Sequence, residues 1–173
     1  MSDTLITIVA IALAAILMFV FPLMTMADRA VNASQLTVQE ATTDFVRKAC
    51  ESGTITKENY NEFLQKITST GNTCEVELIV QVGDSNLGKK ASLAQPDKIG
   101  ENAFFVEFNQ QVLSVIENIG VYYCKEGDIV TAKVKNTNQT ISDQLKNFFY
   151  STSGNSTASI IAEYSAMVTA NGK

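Results

Sequence analysis

The sequence predicts an α+β protein. One long N-terminal helix, half lipid-spanning and half amphipathic, lies on a small, about three-stranded antiparallel sheet with short helices. Three observations carry this expectation. The run from Thr4 to Ala27 contains no charged residue. Helical spacing of apolar residues continues past it through Val31, Val38, Phe45 and Ala49. Two later segments alternate apolar and polar side chains as half-buried strands do.

The first run, LITIVAIALAAILMFVFPLMTMA, is long enough for a membrane helix, since about 20 apolar residues cross a ~30 Å hydrocarbon core. A cleaved signal peptide and a buried core helix are the competing readings. A signal peptide has a basic start and a shorter apolar stretch, whereas Met-Ser-Asp precedes this one. Pro22 removes one hydrogen bond near the far end and is expected to kink the helix. The stripe Val31, Val38, Phe45 and Ala49 then extends it as an amphipathic helix. Arg47 and Lys48 suit the negative end of its dipole, and Gly53 suits the position just past it. A continuous helix from about Leu5 to Ser52 would be ~70 Å long. The expected divisions are a transmembrane helix over 1–27, its amphipathic continuation over 28–52 and a globular α+β head over 53–173.

Thr56 is a suitable N-cap for a second helix over Lys57 to Ser69, where Tyr60, Phe63, Leu64 and Ile67 fit the i, i+3, i+4, i+7 template. Cys74 to Val82 reads as a strand with Cys74, Val76, Leu78, Val80 and Val82 on one face and Glu75, Glu77 and Gln81 on the other. Gly83 to Asn102, with three glycines and Pro96, reads as a loop. Phe104, Phe105, Phe108, Val112, Val115, Ile116 and Ile119 form a helical stripe closed by Gly120; Ala103 to Phe108 is alternatively a short strand. Val121 to Cys124 is extended, Glu126-Gly127-Asp128 turns, and Ile129 to Lys135 is the second clear strand. A short helix is expected from Ser142 to Tyr150, a turn over Ser151 to Ser156 and a last strand from Ser159 to Thr169.

Composition excludes several function classes. The chain has no His, which removes His-based triads and the HExxH zinc motif. Its net charge of −5 argues against a nucleic-acid partner, which draws a basic surface. No Walker loop, dinucleotide fingerprint or GxSxG is present. Glu75 and Glu77 share a strand face, the arrangement of a solvated surface. Asp84 to Gly88 resembles the start of a calcium loop, but Lys89 and Gln95 stand where a glycine and an acid are required. No catalytic, cofactor-binding or metal-ligating set is expected, and the chain reads as a non-enzyme. Three cysteines leave one unpaired in any monomeric pairing. Cys50 closes the long helix and Cys74 opens the first strand after one intervening helix, which makes them the first candidates for a disulfide. Cys124 is the alternative to either. Cys74 also suits an inward-facing small apolar position.

A membrane helix running into an amphipathic helix, followed by Phe45 through Gly53, Thr54-Ile55-Thr56-Lys57-Glu58-Asn59-Tyr60, Phe63-Leu64, Thr70-Gly71-Asn72 and the strand Glu75 to Val82, resembles a type IV pilin-like subunit. The nearer likeness is to TadE-like minor pseudopilins of Gram-positive tight-adherence systems; Gly127-Asp128 before a strand also fits. The resemblance implies a pilin-like fold and a part in assembling an extracellular filament or secretion apparatus for adhesion. The implied partners are copies of this chain or other pilin-like subunits, secretion-system membrane proteins and a separate ATPase, besides the lipid bilayer. Helices of such subunits bundle, and Ala10, Ala14, Leu17, Phe21 and Pro22 are the expected packing face, with small residues allowing close approach. No basic leader precedes the run and Asp3 is the acid before it, which implies an accessory subunit rather than the main filament subunit. Arg29, Arg47 and Lys48 after the span would, by charge alone, hold the head inside. The Asn-, Thr- and Ser-rich composition points outward, and the head is expected outside the cell on a single-pass anchor. The alternative function is a membrane-tethered extracellular binding module that joins no filament.

Overall fold

The structure, a computed structural model, describes residues 2–84, 104–138 and 161–172. A single helix, α1, runs from Ser2 to Ser52, about 77 Å at 1.5 Å per residue. It passes through Pro22 without interruption. It ends where expected, at Gly53, whose φ of 67° lies in the left-handed region. The strand β1 (Thr54–Thr56) leads into α2 (Lys57–Thr68), capped by the Thr56 hydroxyl, which accepts from Asn59 N at 3.2 Å.

The remaining described elements are β2 (Cys74–Gly83), β3 (Phe104–Phe108), α3 (Asn109–Ile119), β4 (Val121–Tyr123), β5 (Ile129–Asn136) and β6 (Ile161–Met167). The main sheet has the order β3-β2-β5-β6, and every neighbouring pair is antiparallel. Among the described residues it holds four strands, one beyond the expected three. The extra strand is β3: the aromatic run Phe104 to Phe108 takes the strand alternative, pairing from Phe104↔Gly83 to Phe108↔Ile79. Helix α3 starts directly after it and stops at Gly120, φ 88°. A second, two-stranded ribbon of β1 and β4 closes one end of the head. The expected helix over 142–150, the turn over 151–156 and nearly all of the loop over 83–102 lie outside the described residues.

Side-chain alternation decides which face of the sheet is covered. Leu78, Val80, Val130, Ala132, Val134 and Ala162 are buried on the inner face. Val38, Phe45, Val46 and Ala49 of α1, Phe63 and Ile67 of α2, and Val112 and Ile116 of α3 complete one core against them. The opposite face carries Glu75, Glu77, Lys133, Lys135 and Glu163, with Lys133 and Glu163 3.4 Å apart. This is the two-layer arrangement in which an antiparallel sheet faces water on one side. Both predicted alternating strands sit in its centre, as β2 and β5.

Candidate functional site: the exposed span and its junction with the head

Helix α1 has two environments along one axis. From Asp3 through Phe19 every side chain is exposed, Met18 by 78% and Phe19 by 73%. This segment is long and apolar enough to cross a membrane, and no part of its most apolar window is buried against the head. Lipid demands that polar groups be satisfied internally. Here the Thr7 hydroxyl donates to Asp3 O at 2.8 Å, and the Thr25 hydroxyl to Pro22 O at 2.8 Å. Of the expected packing face, Ala10, Ala14 and Leu17 lie in this stretch, and Phe21 and Pro22, beyond the partly covered Val20, are exposed as well.

The second environment begins within one turn of Arg29. Val31 packs on the edge of the core, and by Val38 the inward face is fully buried. Two features lock the junction. The Gln35 amide acts as a strand surrogate on the edge of β6: its Nε2 donates to Ile161 O at 2.8 Å, and its Oε1 accepts from Ile161 N at 3.2 Å. Further along, Phe45 stacks on Phe63 of α2 at 4.5 Å between ring centroids and 11° between planes, with Tyr60 tilted beside them. An exposed Lys48–Glu62 pair at 3.6 Å spans the same two helices and adds little by itself. A long, otherwise unsupported helix is thereby held at one angle to the head.

At the end of the head next to Gly53, a buried carboxylate organises the chain. Asp128 Oδ1 accepts from Gly83 N at 2.9 Å, and Oδ2 from Lys125 N at 2.7 Å. The segment after β6 straps this end: Val168 N donates to Asp128 O, Thr169 N to Cys50 O, and Gly172 N to Cys124 O. Gly53 must be glycine on two counts, its positive φ and the strap, because an added Cβ would fall on the Ala170 carbonyl oxygen. Asp128 was legible only as part of the Glu126-Gly127-Asp128 turn, and Gln35 had no signature in the sequence. Nor did Asn109, whose amide accepts from Leu78 N and donates to Val76 O where β3 leaves β2. Each of the three bonds at least one backbone group distant in sequence, and no local pattern marks that bond.

The structure does not bring Cys50 and Cys74 together. The Cys50 thiol donates to Ala166 O at 3.3 Å, and Ala166, Val130 and Val80 lie in one row across the sheet. Cys74 is six residues from Val80 along β2, about 20 Å at the usual strand rise, and a disulfide requires Cα atoms within about 7 Å. Cys50, Cys74 and Cys124 are free thiols. Burial pushes the Cys124 thiol up to about 12, and negative charge on Asp128, Cys50 and Glu107 adds to this. Burial also raises Cys50, against the backbone hydrogen bond from Val130, and raises Cys74. Tyr122 is raised by burial and by its 2.9 Å hydrogen bond to Glu107 Oε2. These are suppressed rather than activated nucleophiles. Among the described residues no group of three or more Cys, Asp or Glu side chains is placed to hold a metal ion.

No family model, no curated protein and no solved structure matches this chain.

Proposed function

We propose that the chain is a non-enzymatic, membrane-anchored, pilin-like subunit that acts in assembling an extracellular pilus or secretion apparatus. The observation that carries the reading is the division of α1: its apolar N-terminal half has no partner in the head, while its C-terminal half is built into the head's core. An exposed apolar helix on a rigid mount suits two successive environments, lipid before assembly and a bundle of like helices after it. Ala10, Ala14, Leu17, Phe21 and Pro22 form the bundling face in this reading, and the head lies outside the cell. Shearing intact cells and fractionating the released material tests it. The chain is expected in a high-molecular-weight sheared fraction, and Ala10→Trp with Ala14→Trp is expected to move it to the membrane fraction while the head stays folded. A chain found only in the membrane fraction, with or without the substitutions, contradicts the assembly role.

A further inference from the structure

Two of the three cysteines, Cys50 and Cys124, flank Gly53 at the strapped end of the head. The β1–β4 ladder sets Thr54 opposite Tyr123, so the next step along it sets Gly53 opposite Cys124. Cys124 N donates to Gly53 O at 2.8 Å. Cys50 lies in the last turn of α1, three positions before Gly53. The C-terminal strap touches both cysteines within three residues, through Thr169 N to Cys50 O at 3.0 Å and Gly172 N to Cys124 O at 3.1 Å. Both belong to the same core cluster, Cys50 with 4% of its surface exposed and Cys124 with 2%. Charge on the Cys50 sulfur is felt at Cys124. Closing the bond requires Cα atoms about 4.4–6.8 Å apart.

We infer that Cys50 and Cys124 are a disulfide site that ties the end of α1 to the residue just past β4, leaving Cys74 as a thiol. The oxidant is a small or protein-borne disulfide such as oxidised glutathione. One cysteine, its proton given to solvent, attacks a glutathione sulfur and expels a glutathione thiolate. The second cysteine, also deprotonated, attacks the protein sulfur of the mixed disulfide and expels the other glutathione thiolate. The chain loses two hydrogens and two electrons, and the glutathione disulfide becomes two thiols. Burial of both sulfurs means that the bond closes during folding or when the strap opens locally. Once closed, it joins the anchor helix covalently to the body of the head. The cross-link needs only the folded head and an oxidant, so it stands or falls apart from the assembly role.

The test uses the full chain in detergent, equilibrated in a buffer of oxidised and reduced glutathione, quenched in acid, alkylated and mapped by mass spectrometry. The expected result is one alkylated thiol, Cys74, and a cross-linked peptide pair containing Cys50 and Cys124, two hydrogens lighter than the reduced pair. Cys74→Ser is expected to keep that pair, and Cys124→Ser to abolish it. Three alkylated thiols in a chain whose head is folded by tyrosine fluorescence would overturn the inference, as would any pair that includes Cys74. If Cys124→Ser does not fold, the map of the unsubstituted chain decides alone.

Discussion

Replacing Phe45 by alanine tests whether the second half of α1 belongs to the head. The ring is 4% exposed and stacks on Phe63 at 4.5 Å. Truncating a buried Phe to Ala costs ~3–5 kcal/mol through lost burial and the cavity left behind. Against a whole-domain stability of about 5–15 kcal/mol, that loss is large enough to read without ambiguity. The assay is urea unfolding of the full chain in detergent, followed by tyrosine fluorescence. The chain has no Trp, and its tyrosines all follow residue 53, so the signal reports on the head alone. Phe21→Ala is the matched control, because Phe21 is 67% exposed; a change within about 0.5 kcal/mol is expected there. A cycle with Phe63→Ala should return a coupling of ~0.5–1.5 kcal/mol for the stacked pair. If Phe45→Ala costs no more than Phe21→Ala, the helix does not pack on the head and the reasoning fails.

Gly53→Ala, at φ 67° and against the Ala170 carbonyl, should cost more than the ~1–2 kcal/mol of a left-handed alanine. Gly71→Ala, at φ 76° in open space, should cost about that amount and no more; urea midpoints of the two variants check the order. Asp128→Ala removes the buried carboxylate that accepts two part-buried backbone hydrogen bonds, and ~1.5–3 kcal/mol of head stability should be lost in the same assay. The reduced chain should weaken in alkali through Cys124. Its thiol ionises near 9 when unfolded and near 12 in the fold, so the stability is intact below pH 9 and lost as pH rises towards 12. From pH 8 to 10.5 the unsubstituted chain should lose ~2 kcal/mol more than Cys124→Ala; equal losses would count against the burial of this thiol.

Elements with a strong local signal were legible in the sequence. Helix α2 announced itself by Thr56 and an unbroken apolar stripe, and β2 and β5 by strict alternation. The length of α1 followed from joining the apolar run to the stripe that ends at Gly53. Elements fixed by distant partners were not legible. Strand β1 has three residues, too few for any periodicity, and β4 was legible only as the extended stretch Val121 to Cys124; their pairing with each other was not. The segment Phe104 to Phe108 fits both helical and extended spacing, and pairing with β2 decides for strand. The Glu126-Gly127-Asp128 turn was readable, but the Asp128 carboxylate bonds Gly83, 45 residues away. The first disulfide candidates followed chain order, which placed Cys74 at the near end of β2; antiparallel register sends it to the opposite end of the sheet from Cys50.

The central claim is an anchored helix carrying a head outside the cell. Protease treatment of intact, wall-permeabilised cells, following a tag placed after Lys173, tests it most directly. The account predicts that the tag is lost while the cytoplasmic membrane is still sealed. A tag protected until the membrane is lysed would place the head inside, in agreement with the charges of Arg29, Arg47 and Lys48, and would contradict the account.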